Sequence, residues 1–545
     1  MLETLLPSLP LIPLYAEIHY RFRYFPLSLY FRRAPEIIFD CPWRIAPDYP
    51  PTIFLLLKDA HRWPVKLESV SINWETDRGD SGVTFFPFEE TEISTPWFYQ
   101  AFTLDQDRFR RPAHLSLVPT LQFILRGRKK SVTLDNFRCL PKRPLQTFLA
   151  RENFPVLPGW RVGDIHVHTH LTSDQVEFGA PLRMTQHGAD VLGLDFVSAT
   201  DHSYDLDDLP GNYLQNDPRL TKWYTSRQEM VDLNASHAQS SSLLPGEEVT
   251  VRNGNQHNVH LLHINDAQFF PGSGDGAEHW LRTRSELTLS QVLENRSRQT
   301  VSIVAHLKYK VPFLHRLLID RDEWQFNDLS VAGLDGAQVL SGTPASRDFF
   351  RSRKLWIQAL LQGRRLAIYG GSDAHGNFNI FRQVKMPMLK LFRLNDQILG
   401  QARTLVYAAG NQPETLIAAM QHRRTAVTTG PVGDLFITTP TGDRHGMGED
   451  VEISTNGVSI QLDGLSSPEF GPVTSIILYQ GNLTTRQETI IWEKRPATRT
   501  FHLSHTINLK LFDPAYFRLE IITPGNHRWP GVYLSSPIWV KHLER

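Results

Sequence analysis

The spacing of hydrophobic and polar residues changes twice along the chain. Between about residues 15 and 145, short apolar runs such as 52–57, 65–72 and 121–125 are separated by Pro, Gly and Asp turns, a pattern typical of antiparallel strands. From about 160 to 425, apolar runs alternate with amphipathic stretches, and beyond 426 the short strand-like runs return. The pattern predicts an N-terminal β-sandwich over 1–150, a central domain over 160–425 and a C-terminal β-sandwich over 426–545.

The central stretch has the pattern of an α/β fold. Candidate helices lie at 181–188, 219–237, 289–298 and 345–361. The seven strand-like runs lie at 164–168, 193–200, 243–249, 258–264, 300–306, 334–340 and 366–371. Such alternation favours a mostly parallel sheet, and seven strands favour a barrel-like arrangement. Functional side chains of a barrel of this kind lie at the C-terminal ends of its strands.

Histidine and carboxylate residues recur where these runs end. His166 and His168 are two positions apart, so they would point to the same side of a strand. The other candidates in or after later runs are Asp174, Asp201, His202, Glu248, His257, His260, His306, Asp373 and His375. Because side chains alternate along a strand, we expect Glu247 to face away from Glu248 and to make only a surface interaction.

This combination of side chains predicts a metal centre. Imidazole and carboxylate ligands suit Zn, Mn or Fe, and the absence of cysteine among them argues against a structural zinc site. Taken singly, each residue is better explained as a capped turn, a surface acid or a core histidine. Their ordered recurrence at strand ends favours two or three divalent metal ions, which would activate water and hold the attacking and leaving oxygens of a substrate.

The amino-acid composition of the chain bears on which partners and which compartment we expect. Lys and Arg number 57, as do Asp and Glu, so the zero net charge gives no basic excess to suggest a nucleic acid partner. The sequence contains no long uncharged apolar run that would suggest a membrane span. Two cysteines make no disulfide framework and the N-terminus is a poor signal peptide, so we expect a cytoplasmic protein. The oligomeric state is left open.

The order of the motifs resembles that of a known family. His166-Val167-His168-Thr169, Asp201-His202, Gly246-Glu247-Glu248, Ala305-His306 and Ser372-Asp373-Ala374-His375 are similar to the motifs of the PHP (polymerase and histidinol phosphatase) superfamily. The resemblance covers about residues 160 to 380. It implies a distorted seven-stranded (βα) barrel that holds two or three metals and cleaves phosphate esters. Segments 159–164, 428–431 and 536–540 resemble, more weakly, the carbaryl-hydrolase-like branch.

The resemblance also implies how the ligands are shared among three metals. The first would be held by His166, His168, Glu248 and Asp373, the second by Glu248, His306 and either His260 or His257, and the third by Asp174, His202 and His375. Two motifs depart from the family pattern, because Gln175 stands where Gly is usual and Leu307 where Pro is usual. The choice between His257 and His260 stays open.

The reaction that the resemblance implies is hydrolysis of a small-molecule ester, most often a phosphate ester, by a metal-bridging hydroxide. Glu248 and Asp373 would act as metal-holding catalytic carboxylates, while Asp201 would either transfer a proton or orient His202. Candidates for binding an anionic substrate are Lys308, Arg347 and Arg382. Two alternatives remain: hydrolysis of carboxylic or carbamate esters, which the weaker resemblance implies, and a binding module without enzymatic activity.

Overall fold

The computed structural model describes residues 34–136, 142–172, 179–210, 212–236, 240–273, 283–311, 313–379, 397–454, 457–496 and 500–542. Strands hold 44% of the residues and helices 16%. Among the helices in these ranges, none has the length and apolar character that a membrane span requires.

Two facing sheets form the N-terminal region. Its strands are β1 (Glu36–Asp40), β2 (Arg44–Ile45), β3 (Thr52–Lys58), β4 (Val65–Thr76), β5 (Ser81–Ile93), β6 (Trp97–Thr103), β7 (Ala113–Leu125), β8 (Arg128–Thr133) and β9 (Leu145–Leu149). One sheet has the order β1-β3-β6, and the other has the order β2-β9-β7-β4-β5 with β8 on β7. Burial alternates along β7 because one face packs on the shared apolar core and the other faces outward.

The central region holds most of the helices and the long sheet. Its strands are β10 (Trp160–His168), β11 (Phe196–Ala199), β12 (Asp208–Leu209), β13 (Asn212–Asn216), β14 (Ser242–Arg252), β15 (Asn258–Ile264), β16 (Val301–Val304), β17 (Gly336–Ser341), β18 (Ala367–Gly371), β19 (Ala374–His375), β20 (Arg403–Tyr407) and β21 (Thr425–Thr428). Its helices are α1 (Leu182–Leu192), α2 (Ser203–Leu206), α3 (Thr221–Ser236), α4 (Leu289–Asn295), α5 (Phe313–Leu318), α6 (Arg347–Leu361) and α7 (Pro413–Gln421). Short 3₁₀ turns lie at Gln106–Arg108 and Asn327–Ser330.

Local signals in the sequence explain where several helices begin and end. Helix α1 ends at Gly193, whose φ of 86° is readily adopted only without a Cβ atom. Thr288 and Gln291 form a capping box at the start of α4. The Ser346 hydroxyl accepts a hydrogen bond from the Phe349 N–H at the start of α6. The predicted helices at 181–188, 219–237, 289–298 and 345–361 correspond to α1, α3, α4 and α6.

The C-terminal region continues the long sheet. Its strands are β22 (Val432–Thr438), β23 (Arg444–His445), β24 (Asp450–Ile453), β25 (Gly457–Leu465), β26 (Ser475–Asn482), β27 (Gln487–Lys494), β28 (His502–Lys510), β29 (Ala515–Thr523), β30 (Gly531–Ser535) and β31 (Ile538–His542). Strands β23, β22, β25 and β28 form a separate sheet. Strand β30 pairs with β21, so the remaining strands of this region extend the sheet of the central region.

The prediction of an α/β fold with a seven-stranded (βα) barrel flanked by two β-sandwich domains is wrong. The protein is mostly β, and its central strands belong to a 16-stranded sheet that runs from β18 to β27. Strand directions are mixed: β10, β11 and β14 are parallel, whereas β14–β15–β16 and β10–β20–β21 are antiparallel. Residues 253–257 alone join β14 to β15, which is too short for a parallel crossover.

All three parts of the chain contribute to a common core. Phe54 of the N-terminal region, Leu192 of α1 and Phe470 of the C-terminal region belong to the same cluster of buried apolar residues. The Trp43 indole N–H donates to the Leu399 carbonyl at 3.0 Å, and Arg44 pairs with Glu469 at 2.9 Å. The regions that differ in sequence pattern therefore pack as one body around the central strands.

Candidate metal centre

Eight of the predicted side chains meet at one buried point. They are His166, His168, His202, Glu248, His260, His306, Asp373 and His375. Three overlapping groups have ligand atoms within 4.8 Å of one another: His168, His202 and His375; His166, His168, Glu248 and Asp373; and His202, Glu248 and His260. His166 and His168 are fully buried, whereas the side chains of His306 and Asp373 are 12% and 16% exposed. His306 and Asp373 are therefore the least covered of these side chains.

Glu248 lies in the middle of this cluster, and its two carboxylate oxygens face different imidazoles. Its Oε1 is 2.7 Å from His260 Nδ1, 3.0 Å from His306 Nε2 and 3.4 Å from His166 Nε2. Its Oε2 is 3.1 Å from His202 Nδ1 and 3.3 Å from His168 Nε2. A carboxylate with imidazoles beside both oxygens has the arrangement expected of a ligand that bridges two cations.

The backbone at the end of β18 places Asp373. The Asp373 N–H donates to the His166 carbonyl at 2.8 Å, and its φ of 55° is in the left-handed region, which non-glycine residues seldom adopt. Its Oδ1 lies 3.3 Å from His166 Nε2 and 3.1 Å from His168 Nε2, while Gln397 donates to Oδ2 at 2.7 Å. His306 also has a positive φ, of 28°. Unusual backbone conformations of this kind concentrate at functional sites.

Hydrogen bonds outside the cluster fix the tautomers of its first two histidines. Gln338 Oε1 accepts the His306 N–H at 2.9 Å, and Gln338 Nε2 donates to the Gly371 carbonyl at 3.0 Å. Because Oε1 is thereby an acceptor, His166 Nδ1, 3.0 Å away, carries its hydrogen. The nitrogen left without a hydrogen is His166 Nε2, which faces the cluster.

A second chain of hydrogen bonds does the same for His168. The Thr172 hydroxyl donates to Asp201 Oδ1 at 2.8 Å, so it accepts from His168 Nδ1 at 3.2 Å. The two Nε2 atoms of His166 and His168 then face each other at 3.2 Å with their lone pairs converging. Two buried lone pairs at this distance repel unless a positive charge lies beside them, so these residues fit a cation.

The electrostatics of the cluster agree with that fit. Burial acts to raise the pKa values of Glu248 and Asp373, but the surrounding imidazoles hold both well below their usual values. Burial acts to lower the pKa of His168, but hydrogen bonds and charges from Asp373 and Glu248 outweigh it and raise the pKa to about 10, so without a metal ion a proton supplies the positive charge between the two facing nitrogens. Burial and the His168 charge lower the pKa of His202 to about 4 and of His375 to about 3. Ionised carboxylates and neutral outer histidines are the forms that bind metals.

Several predicted residues lie elsewhere. His257 is outside the cluster, with its Nδ1 on Asp320 Oδ1 at 2.8 Å, so the structure brings His260 to Glu248 instead. Asp201 is buried, and its oxygens accept hydrogen bonds from the N–H and hydroxyl groups of Thr169 and Thr172 at 2.6–3.0 Å. It therefore anchors the loop after β10. Asp174 falls outside the described residues.

The predicted anion-binding residues also differ from expectation. Lys308 Nζ lies 3.3 Å from Glu323, which Arg351 also pairs with at 2.6 Å. Arg347 is exposed on the first turn of α6, and Arg382 falls outside the described residues. Neither Lys308 nor Arg347 contacts the centre through any interaction that the described part of the chain shows.

The expectation that Glu247 makes only a surface interaction is wrong. The alternation itself is as predicted, because Glu247 faces the opposite side of β14 from Glu248. That side is also covered: Glu247 has no exposed surface, and the Trp223 indole N–H donates to it at 2.9 Å. Arg227 lies 3.8 Å away, and burial raises the Glu247 pKa to about 8. The alternation of side chains along a strand shows on which face of the sheet each one lies, but it does not show whether helix α3 covers that face.

Two residues that contact the cluster gave no clear signal in sequence. Gln338 is the one polar residue among the fully buried positions of strand β17, and that isolation among apolar neighbours is the signal that could have found it. Arg321 lies in a polar loop, and its Nη2 is 2.9 Å from His260 Nδ1. Nothing in the local sequence separates it from the charged residues beside it.

Comparisons with known proteins give no family. No family model matches the chain, and no curated protein matches it. Among solved structures, the bacterial superantigen toxic shock syndrome toxin-1 is 11% identical, with 21% of this chain and 100% of that chain covered and a TM-score of 0.15. Parabacteroides merdae β-glucuronidase is 8% identical, with 94% of this chain and 64% of that chain covered and a TM-score of 0.18.

The Bacteroides uniformis β-glucuronidase is similarly distant, at 10% identity with 93% of this chain and 61% of that chain covered and a TM-score of 0.19. This chain thus spans less than two thirds of the length of either glucuronidase. At these TM-scores the matches support no argument about fold or activity.

Proposed function

We propose that this protein is a metal-dependent hydrolase that acts on phosphate esters and binds two or three divalent transition ions, Zn, Mn or Fe. The observation that supports the proposal is the central position of Glu248, whose two oxygens have imidazoles beside them on both sides. The ordered motifs that resemble the PHP superfamily support the same chemistry. When bound, such ions supply Lewis acidity toward an ester group and toward the water that attacks it.

The residues of the chain would perform distinct tasks. Glu248 and Asp373 would neutralise cation charge, because their pKa values are held well below the usual range. His166 and His168 would present the nitrogens that Gln338 and Thr172 leave without hydrogens. Their complete burial would exclude bulk water from that side, so a substrate would approach past His306 and Asp373, the more exposed side chains.

The test combines metal analysis with a substrate screen. Protein purified without chelators is analysed for metals and then assayed with aryl phosphate mono- and diesters, aryl acetates and aryl carbamates, each with added Zn or Mn. We expect bound metal and turnover of phosphate esters. Glu248→Gln should lose both, whereas Glu294→Gln, at an exposed position on α4, should retain both.

Three results would contradict the proposal. Turnover of acetates or carbamates without turnover of phosphates would identify a carbon-ester hydrolase. Metal without any turnover would favour a binding module. Glu248→Gln protein that is folded, metallated and active would remove the central residue from the mechanism.

A further inference from the structure

A separate cavity lies among the loops that lead into β17 and β18. Its volume is about 230 Å³, which is room for roughly seven water molecules or for a small organic molecule. It is lined by residues 329–335, by residues 364–366, and by Gln421 and Arg423. None of these residues belongs to the candidate metal centre, so a ligand of this cavity would have its own set of contacts.

The cavity lies at the opposite end of the strands from the metal centre. Asp335 directly precedes β17 and Leu366 directly precedes β18, and these two strands are parallel. Asp373, which belongs to the metal centre, follows the other end of β18. Leu366 and Asp373 are seven positions apart, which is roughly 20 Å along an extended strand. A small molecule in the cavity would therefore not contact the metal centre.

Positive charge predominates in the lining of this cavity. Three of its lining residues are arginines: Arg364, Arg365 and Arg423. Among the described residues that line it, Asp335 is the one acid. Asp335 is already paired, because its Oδ2 accepts a hydrogen bond from Arg296 and another from the Ser302 N–H at 2.8 Å. Its charge is thus matched by a guanidinium that does not line the cavity.

Two of the three arginines share a single carboxylate. Arg365 Nε lies 2.7 Å from Asp450 Oδ1, and Arg423 Nη2 lies 3.0 Å from Asp450 Oδ2. Arg423 also donates to the Gly448 carbonyl at 2.9 and 3.1 Å, and the Arg365 guanidinium lies over the Trp539 ring at 3.9 Å. These contacts fix both guanidiniums beside the cavity, with one negative charge between them.

Arg364 adds a further positive charge. Its backbone is held at the end of α6, because its N–H donates to the Ala359 carbonyl at 3.1 Å. Its side chain is exposed and forms no hydrogen bond or ion pair with any residue in the part of the chain that the structure describes. The guanidinium can consequently donate to an anion without giving up another partner, and such charge-assisted hydrogen bonds are strong.

Apolar side chains form another part of the lining. Leu329 and Leu366 are buried, and Val331 and Leu334 are partly exposed beside them. A cavity that combines apolar walls with a few charged groups is typical of sites for organic ligands, because the walls contact hydrocarbon and the charges orient it. A fully hydrated inorganic ion would leave these walls without a partner.

We propose that this cavity is a second ligand site, which binds a small organic anion. The carboxylate or phosphate group of the ligand would accept hydrogen bonds from Arg364, and its apolar part would lie on Leu329 and Leu366. The site goes beyond the proposed hydrolase function and does not depend on it, since the two share no residue.

Benzoate, phenylphosphonate and the neutral benzamide are the probes for a direct test. Calorimetry measures the binding of each to the full-length, metal-loaded wild type and to Arg364→Gln, Arg347→Gln and Glu248→Gln. The wild type should bind benzoate or phenylphosphonate and should not bind benzamide. Arg364→Gln removes a charge-assisted donor and should weaken that binding by roughly 10- to 100-fold. Arg347→Gln, an exposed arginine at the other end of α6, should match the wild type.

Glu248→Gln separates this site from the metal centre. Because Glu248 does not line the cavity, this variant should bind the preferred anion as the wild type does, and the anion that it binds more tightly shows whether the site takes a carboxylate or a phosphate group. A wild type that binds neither anion, or that binds benzamide as tightly as benzoate, would overturn the inference. Equal binding by the wild type and Arg364→Gln would also overturn it, as would binding that is lost only in Glu248→Gln.

Discussion

Gln338→Met should loosen the metal centre although Gln338 itself is not a ligand candidate. The substitution keeps the side-chain length and removes three buried hydrogen bonds, to His166 Nδ1, to the His306 N–H and to the Gly371 carbonyl, of 2.9–3.0 Å. These bonds join the ends of three strands and fix which nitrogen of His166 faces the cluster. Without them, both the orientation of His166 and the position of His306 are less restricted.

The structure gives the size of the effect. Each buried group left without its partner costs about 1–2 kcal/mol, so three should lower the free energy of unfolding by about 3–6 kcal/mol. Loss of the partner that orients a ligating histidine lowers metal affinity roughly 10- to 100-fold. Gln338→Glu keeps the acceptor for His166 and His306 and loses only the donor to Gly371, so its metal affinity should stay close to that of the wild type.

Competition with a chelator, followed by elemental analysis, measures the affinity, and denaturant unfolding of the metal-free proteins measures the stability. The matched control is Gln186→Met, which also removes a buried hydrogen bond, to the Ser241 carbonyl at 2.9 Å, but lies on α1 away from the cluster. If Gln338→Met and Gln186→Met hold metal equally well, the assignment of Gln338 as a positioning residue is wrong.

Three further predictions can be tested with the same methods. Elemental analysis should find two or three transition ions per chain. A protein that holds one ion or none, and that gains no more when Mn or Zn is added, would refute a multinuclear centre. Glu247→Ala should keep its metals yet lower the free energy of unfolding by about 2–4 kcal/mol, because it leaves the buried Trp223 N–H without its partner and removes the carboxyl group that faces Arg227. Asp373→Ala should lose metal, and the reverse outcome would show that the register of β14 is misassigned. Burial raises the pKa of Asp434 from 3.8 to about 6, so the folded state retains this proton and loses stability as pH rises through that interval. Asparagine does not titrate, so the free energy of unfolding of the wild type should fall relative to that of Asp434→Asn by up to about 3 kcal/mol between pH 4 and above pH 6 in metal-free protein. The loss of one acceptor for the Trp160 or Leu435 N–H should lower the stability of the variant equally at both pH values, and a difference between the two proteins that does not change with pH would contradict the shift.

Local sequence pattern was enough to nominate the cluster because strand alternation is a local property. It placed His166 beside His168 and Glu248 opposite Glu247, and the structure brings eight of the nominated histidines and acids to one point. That they hold metal stays a prediction. The choice of His260 over His257 needed the position of Asp320, which no spacing rule supplies. Gln338 and Arg321 contact the cluster from other strands and loops, so only the folded chain relates them to it.

The fold class was predicted wrongly because strand direction depends on pairs of strands that are far apart in the sequence. Alternation of strands and helices was read correctly for α1, α3, α4 and α6, but strand direction depends on which strands become neighbours. The pairing of β21 with β30 joins positions more than a hundred residues apart, for example Ala426 and Ser535. Nothing within a window of ten or twenty residues indicates that such a pair exists.

The continuity of the long sheet across β21 and β30 limits how this protein can be divided. A shortened chain that ended after Thr428 would leave β21 as a bare edge in the middle of what had been one sheet, with the pairs Ala426–Ser535, Val427–Leu534 and Thr428–Tyr533 broken. Exposed edges of buried, apolar strands promote self-association. Fragments that contain every residue of the metal centre should consequently aggregate, and the histidine cluster should be portable to another scaffold only together with the C-terminal strands.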